Sequence, residues 1–442
     1  MRVVFLTQYY PPEIGASQNR IAGIATRLAK RGVDVTVLTA MPNYPEFRVR
    51  KKYRGRFFVK EEIDGVKVWR SYIFARRGGL ALRMICYLSF VFSSIFNGLI
   101  RLPKVDALIC QSPPLFLGIS GAILATFKAR KFVFNVSDLW PESAERLGLV
   151  KNRFLLWSAG KLADALYRRA DLISGQTQGI VANISARFPK KRVYWLRNGV
   201  SLEELQSVTE VRQQWRETCG CNGSEFLAVY AGIHGHAQGL EVILDAADIL
   251  KEKRRIKFAL MGDGPRRKHL LKLVRQKGLD NVTMLDSRPR TEVLELLASA
   301  NAGVVPLRKA DIFKGAIPSK IMEVSALRRP LLLGVEGEAK ELFISDGNAG
   351  LAFEPESAEA LATAIVKLAD QPELASELGD NGHDYVLRNF DRDKIAADFW
   401  HELQRLLSDK VEPKPLALAG EQNTAIKVSA RTPRSVARVR RR

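Results

Sequence analysis

The segment IPSKIMEVSALRRP, residues 317–330, combines residue types that suit the binding of a diphosphate. Pro318 favours the first turn of a helix, so Ser319 and Lys320 are expected where free backbone N–H groups, a hydroxyl and an ammonium meet phosphate oxygens. Glu323 follows Lys320 by three residues and therefore shares its helical face. Its carboxylate could accept hydrogen bonds from two vicinal hydroxyls, as of a ribose, whereas a solvated Lys–Glu pair is the structural alternative.

Three loops that follow predicted strands are rich in small residues. They are YYPPEIGASQNR near the N-terminus, YAGIHGHAQG in the middle of the chain and MGDGP after a later strand. Small residues allow a ligand to approach the backbone, and free N–H groups at a helix start attract anions. Glycines at such turns also serve packing alone. The candidate ligand-binding positions in these loops are the small residues Gly15, Ala16, Gly262 and Gly264 and the histidine His236.

The elements that position these loops form two series of apolar, β-branched runs with helical segments between them. The first series comprises runs at 3–8, 33–40, 66–71, 105–112, 132–138, 171–177 and 193–198. The second comprises runs at 226–232, 257–264, 282–287, 302–307 and 331–335. Such alternation of buried parallel strands and helices predicts two doubly wound α/β domains, with ligands at the carboxyl ends of the strands. We place the hinge in the polar segment 201–223.

Composition limits the classes of partner. The chain has 69 Lys and Arg against 47 Asp and Glu, a formal charge of +22, so an anionic partner is expected. The basic run at 48–56 has one aromatic residue and no nucleic-acid-binding signature accompanies it, which argues against nucleic acid. G-x-G-x-x-G is missing after the first strand, against a dinucleotide-dependent dehydrogenase. No metal is expected, since the cysteines and histidines lack metal-site spacing.

The segment Met84–Ile100 is apolar and lies between Arg83 and Arg101, with Arg76 and Arg77 just upstream. It suits a core-facing helix of the first domain or an interfacial helix whose apolar face enters the headgroups of acidic lipid. A membrane span is the weaker alternative, because it would pull apart a domain whose sheet continues on both sides. The C-terminal residues 411–442 carry eight Lys or Arg against two Glu and are expected to be a disordered basic tail.

From Arg2 to about Leu407 the sequence resembles the retaining glycosyltransferases of the GT-B fold, family four. The likeness is to the bacterial branch that builds O-antigen, lipopolysaccharide, capsule and exopolysaccharide, including fucosamine transferases and colanic acid enzymes. The motifs that carry it stand in order at 9–45, 112–118, 135–149 (NVSDLWPESAERLGL), 196–200 (LRNGV), 261–265 (MGDGP) and 317–330.

The resemblance implies two Rossmann-like domains that face each other across a cleft. Residues 1–205 would bind the acceptor, residues 206–389 would bind a nucleotide-sugar donor, and a helix at 390–409 would cross back to the first domain. By motif, Glu323 matches the ribose-binding glutamate, and Ser319 and Lys320 lie at the diphosphate. The remaining donor positions are Gly15, Ala16, Gly262, Asp263 and Gly264. The acceptor positions are Asp138, Trp140 and Glu142, and Asp138 and Lys320 are the catalytic candidates.

The chain departs from the family pattern at three places that bear on sugar recognition. Gly315 stands where a first glutamate contacts the sugar, and Ser137 stands before Asp138 where relatives often carry His. In the loop after YAG, Ile233, His236 and Gln238 replace the usual cations, so His236 is our substitute cation. The missing glutamate leaves a non-catalytic scaffold open as an alternative.

The resemblance further implies metal-independent transfer without a cofactor, from a nucleotide sugar of the UDP-N-acetylated hexosamine type. The acceptor would be a polyprenyl-diphosphate-linked sugar. We therefore expect a cytoplasmic enzyme, peripheral on the inner face of the cell membrane and bound to its anionic surface.

Overall fold

The computed structural model describes residues 1–408, apart from 14, 45, 147–149, 151 and 207–212. The predicted tail at 411–442 lies outside the described residues.

The strands of the first half form one twisted sheet. They are β1 Arg2–Leu6, β2 Asp34–Ala40, β3 Phe58–Ile63, β4 Val66–Ser71, β5 Val105–Ser112, β6 Ala129–Val136, β7 Leu172–Gly175 and β8 Val193–Trp195. Their order is β3-β4-β2-β1-β5-β6-β7-β8, and each pairing is parallel except that of β3 with β4. The central strands are buried along almost their whole length, as expected for a sheet covered on both faces.

Helices cover both faces of this sheet. They are α1 Ala16–Lys30, α2 Leu80–Arg101, α3 Leu117–Lys128, α4 Glu142–Arg146, α5 Arg153–Arg169 and α6 Gln178–Arg187. Buried side chains of α2, α3, α5 and α6 join one core cluster, whereas those of α1 join the cluster on the opposite face. Because the strands that lead into these helices are parallel, the strand-to-helix turns lie at the carboxyl edge of the sheet.

Two short helices lead to the second half, α7 Leu202–Gln206 and α8 Gln213–Thr218. The strands there are β9 Phe226–Ala231, β10 Ile256–Met261, β11 Val282–Leu285, β12 Ala302–Pro306, β13 Leu331–Gly334 and β14 Gly350–Ala352, in the parallel order β11-β10-β9-β12-β13-β14. The helices are α9 Glu241–Ile249, α10 Arg267–Lys277, α11 Arg290–Ser299, α12 Ser319–Ala326, α13 Glu338–Lys340, α14 Ala358–Asp370, α15 Pro372–Asn389 and α16 Arg392–Leu407.

The last helix, α16, packs against α1 rather than against the second sheet. Its buried Ile395, Phe399 and Leu403 belong to the cluster on the α1 face of the first sheet. The chain thus returns to its first half before it ends. The domain boundaries at 205 and 389 stay predictions.

The two doubly wound α/β units are confirmed, and each predicted strand is present. The structure adds β3 and β14, and β3 is antiparallel, because Asp64 and Gly65 form a two-residue hairpin turn with φ of 49° and 76°. The segment predicted to be a polar hinge, 201–223, contains more regular structure than expected. It contains α7 and α8, and Cys219 and Cys221 are buried in the second core.

Helix α2 contains the apolar segment predicted at 84–100. Among the described residues, Leu82–Arg101 is the helical stretch long and apolar enough to cross a bilayer, and 39% of its most apolar window is buried. Cys86, Phe90 and Asn97 face the sheet, whereas Phe92 and Phe96 are exposed. The helix therefore covers the sheet with one face and leaves an apolar face outside.

Candidate functional site

The start of α12 presents Lys320, which forms no ion pair with a carboxylate of the described residues. Pro318 immediately precedes the helix, so the N–H groups of its first turn have no partner within the helix. The Lys320 ammonium lies 5.3 Å from the centroid of the Tyr230 ring, and no ion pair joins it to Glu323 in the described part of the chain. Burial lowers the pKa of Lys320, and the charge of Glu323 partly offsets that shift. A desolvated ammonium beside a helix N-terminus is a strong site for a phosphate.

Glu323, one turn further along α12, contacts Arg290 at the start of α11. The distance from Arg290 Nη1 to Glu323 Oε1 is 2.8 Å, and the Glu323 side chain is 14% exposed. This contact replaces the solvated Lys–Glu pair considered from the sequence. Part of the Glu323 carboxylate remains open to the cleft, because Glu323 and Ser319 both line a cavity there.

That cavity has a volume of about 610 Å³ and lies between the two halves. Asn19 and Gly23 of α1 form one wall, and Arg290, Ser319 and Glu323 form the facing wall. The wall of the first half runs along α1 as far as Lys30, whereas the facing wall consists of the starts of α11 and α12. The structure thereby brings the predicted ribose and phosphate positions of α12 opposite α1.

Two glycine loops of the second sheet pack on each other beside Lys320. His234 N donates to the carbonyl of Asp263 at 2.8 Å. Gly262 has φ 148°, and a Cβ there would collide with the carbonyl of Gly232, while one at Gly232 would meet the Lys320 side chain. Glycine is therefore required at both places for this approach. Gly264 N donates to the Asp263 carboxylate at 2.7 Å, so that side chain serves its own loop.

The histidines of this region differ from the expectation of a cationic His236. The His236 side chain is exposed, and its carbonyl accepts a hydrogen bond of 2.8 Å from Arg308. His234 is the buried one, and desolvation, reinforced by Arg267 and Lys320, lowers its pKa to about 4. His234 is thus a neutral imidazole at neutral pH. Lys320 is the cation that the structure places against these loops.

Asp138 lies just past the carboxyl end of β6, where it faces a buried arginine of α1. Arg20 is 2% exposed and donates to Ser137 Oγ at 2.9 Å and to the Leu196 carbonyl at 3.1 Å. Desolvation raises the pKa of Asp138, and the Arg20 charge opposes that shift. Burial in turn lowers the pKa of Arg20 to about 10. Ser137, which stands in place of a histidine, thus holds the guanidinium that acts on Asp138.

The two other predicted acceptor residues have different surroundings. Trp140 is half-buried and packs against the core under α2, α3 and α5. Glu142 accepts from Arg187 Nη1 at 3.0 Å, and Arg187 also binds Asp164 at 2.7 Å. Glu142 therefore has a structural partner.

The loop before α1 is held by Glu13, a residue that sequence analysis did not single out. Its buried carboxylate accepts hydrogen bonds from the N–H groups of Asn43 and Tyr44, at 2.8 Å each, and from that of Tyr10 at 3.2 Å. Gly15 caps α1, which begins at Ala16 as predicted. Glu13 therefore fixes the backbone that presents Gly15 and Ala16.

Arg20 and Arg290 were likewise missed. Both lie inside segments whose pattern indicates only a helix, and their partners are distant in sequence. Among the described residues, no group of three or more His, Cys, Asp or Glu is arranged to hold a metal ion.

Comparisons with known proteins agree with this architecture. Residues 15–199 match the family described as glycosyl transferase 4-like domain, and residues 211–385 match glycosyl transferases group 1. The chain is 24% identical over 414 residues to the putative colanic acid biosynthesis glycosyl transferase WcaI of Escherichia coli K12, covering 91% of this chain and 100% of that one.

Solved structures show the same fold. A sucrose-phosphate synthase from Thermosynechococcus elongatus superposes with a TM-score of 0.71 at 16% identity, over 92% of this chain and 99% of that one. HepE of Anabaena, in complex with UDP-glucose, superposes with a TM-score of 0.66 at 17% identity, over 91% and 99%. With one family match on each half and a cleft between two Rossmann-like units, this chain belongs to the GT-B glycosyltransferases, group 1, with a family-four-like N-terminal domain.

Proposed function

We propose that this enzyme transfers a sugar, with retention of anomeric configuration, from a nucleotide-sugar donor to a lipid-linked glycan in the synthesis of a bacterial surface polysaccharide. The observation that carries the proposal is the unpaired, desolvated ammonium of Lys320 at the N-terminus of α12. Burying it costs stability unless an anion joins it. The diphosphate of a nucleotide sugar supplies that anion, and Glu323, on the next turn, then meets the ribose.

The donor and pathway are proposed from relatives. The structure of HepE contains UDP-glucose, and WcaI is named for colanic acid synthesis. We propose a UDP-linked, N-acetylated hexosamine as donor and a polyprenyl-diphosphate-linked sugar as acceptor.

Retention follows from a front-face displacement. The bond from the sugar C1 to the β-phosphate oxygen breaks while the acceptor oxygen bonds to C1 from the same face, and the departing phosphate takes the acceptor proton. Lys320 and the first turn of α12 stabilise the charge that grows on the leaving group. Asp138, whose negative charge Arg20 favours, orients the acceptor hydroxyl or stabilises the positive sugar.

Transfer is proposed to be independent of metal ions, with Lys320 and the helix N-terminus neutralising the diphosphate in place of a cation. Activity should survive EDTA. Reversible loss of transfer on chelation, restored by magnesium or manganese, contradicts this part of the proposal.

A donor screen with the purified protein tests the function. A nucleotide sugar at a hundred times its Kd stabilises the fold by about 2.7 kcal/mol, which thermal unfolding detects. Transfer to a lipid-linked acceptor is then followed, and NMR of the product reports the anomeric configuration. Lys320→Met should abolish stabilisation by the donor, whereas Lys314→Met, at an exposed lysine paired with Asp311, should retain it.

A non-catalytic scaffold of the same fold is the alternative. It predicts that no nucleotide sugar is transferred or hydrolysed, even slowly, by the pure protein.

The enzyme is proposed to work on the inner face of the cytoplasmic membrane. Helix α2 offers exposed Phe92, Phe96 and Ile100, with Arg83 and Arg101 at its ends. An interfacial helix of this kind binds acidic lipid partly through charge, which salt screens. High salt or carbonate should release much of the protein from membranes, while retention until detergent is added would indicate insertion.

A further inference from the structure

Three neighbouring helices of the first half expose large apolar side chains on their outer side. Helix α3 packs against both α2 and α5, and all three bury their inner faces in one core cluster. Scattered apolar residues are ordinary on a protein surface, but this many on adjacent helices is not. The exposed residues are Ile85, Phe92, Phe96, Ile100, Phe127, Phe154, Leu155 and Trp157.

The first turn of α5 is the densest part of this surface. Phe154 is 70% exposed, Leu155 51% and Trp157 60%. The Phe154 and Trp157 rings stack with centroids 5.9 Å apart, and Lys161 Nζ lies 5.9 Å from the Trp157 ring centroid. The Asn152 side chain caps the helix, so its first turn is stabilised although these apolar side chains are exposed. The three side chains contribute little burial to the fold.

This turn lies at the cleft edge of the sheet. The chain leaves the carboxyl end of β6 at Val136, passes Asp138 and α4, and enters α5 at Arg153. Since β7 is parallel to β6 and begins just after α5, the helix must run back toward the amino edge of the sheet. Its first turn is therefore at the same edge as Asp138.

We propose that Phe154, Leu155 and Trp157 form a second membrane contact, which inserts into the headgroup region of a bilayer containing acidic lipid and holds the cleft edge against it. The proposal rests on the proposed function for the membrane itself and adds a site that α2 does not contain. Two membrane contacts on either side of α3 would fix the orientation of the first domain relative to the bilayer. A contact through α2 alone would let the domain rotate about the axis of that helix.

Charge selects the bilayer over another protein. Beside the exposed side chains, α5 carries Arg153 and Lys161, both exposed, and its one acidic residue, Asp164, is paired with Arg187. A Trp with a neighbouring Lys suits the interface, where an amphipathic ring and an ammonium meet acyl chains and phosphates. A lipid-linked acceptor then reaches Asp138 without leaving the membrane.

The test is flotation of the full-length protein with vesicles of phosphatidylcholine, either alone or mixed with phosphatidylglycerol. Each vesicle is used at about 0.15 M salt and at about 0.5 M salt, and the higher concentration screens surface electrostatics. Phe154→Ser with Trp157→Ser should lower binding to acidic vesicles roughly tenfold at both salt concentrations, because the lost term is mainly apolar. Ile249→Ser removes a comparably exposed apolar side chain from the end of α9 and should float like the wild type.

Flotation needs no turnover, so this inference and the proposed function fail separately. Unchanged flotation of the double variant, or a wild-type protein that does not float, overturns the inference. A wild-type dimer that the double variant converts to a monomer, with unchanged flotation, overturns it as well and assigns the surface to a second copy. If the double variant unfolds at a lower temperature, Leu155→Asp replaces it. Transfer to a water-soluble acceptor should be the same in all variants.

Discussion

Glu323 and Arg290 share a contact at the proposed ribose site. The Glu323 carboxylate, proposed to accept hydrogen bonds from two ribose hydroxyls, already accepts one from Arg290 at 2.8 Å, and both side chains line the cleft cavity. The pair is 41% exposed on the arginine side, so it adds little to stability. Its value to the protein is then the orientation of the Glu323 carboxylate toward the cavity.

We predict that Glu323→Gln weakens donor binding by about 1.5 to 3 kcal/mol while the melting temperature barely changes, because a charged acceptor is lost and shape is kept. Isothermal titration with the nucleoside diphosphate measures the first quantity and calorimetry the second. Glu292→Gln, on α11 and paired with Arg288 just before the helix, is the control. Equal losses of binding and stability would make Glu323 structural.

Arg20 should set the ionisation of Asp138. Desolvation alone raises the Asp138 pKa, and Arg20 holds it down. In Arg20→Met the pKa of Asp138 therefore rises, and the acid limb of the kcat/KM profile should move to higher pH. Arg20→Lys should restore much of the profile. Arg31→Met, at the exposed residue that follows α1, should leave the profile unchanged. If Arg20→Met lowers activity but leaves the acid limb of the profile at the same pH, Arg20 has only a packing role.

At the scale of elements, the strand–helix order followed from apolar periodicity, since buried parallel strands give continuous apolar runs. The hairpin of β3 and β4 was missed although EIDGVKV contains an Asp-Gly turn signal between alternating runs. Helices α7 and α8 were missed because the segment is polar, and α8 has no buried residue to give it an apolar period. The start of α12 was predictable from Pro318, whereas Arg290 and Arg20 were not, because their partners are set by tertiary packing.

Helix α16 illustrates packing that local sequence does not reveal. Phe399 is fully buried between α16 and the first sheet, far along the chain from its neighbours Ile21 and Val35 in the same cluster. Phe399→Ala should destabilise the protein by about 3 to 5 kcal/mol in chemical denaturation. His401→Ala, exposed on the same helix, should change stability by less than about 0.5 kcal/mol. A small effect of Phe399→Ala would mean that α16 is dispensable for the first half.

At the scale of the whole molecule, a carboxylate of the second half forms hydrogen bonds with the backbone of the first half. Glu338, 9% exposed in α13, accepts hydrogen bonds from Gln178 N at 2.6 Å and Gly179 N at 2.9 Å. It thereby caps α6 from the other domain, where the helix N-terminus favours a negative charge. Thr177 caps the same turn through Ile180 N at 3.3 Å.

Because this cap exists only while the halves are in contact, Glu338→Ala should favour their separation. Each hydrogen bond to a charged acceptor is worth roughly 1.5 to 3 kcal/mol, so the loss of one alone corresponds to about ten- to a hundredfold faster hydrogen exchange at Gln178 and Gly179. Small-angle scattering should show a larger radius of gyration for the variant. Glu341→Ala, an exposed carboxylate three residues away, should change neither quantity. Unchanged exchange at 178–179 in Glu338→Ala would show that other contacts hold the cleft, and that Glu338 serves the local structure of α13 alone.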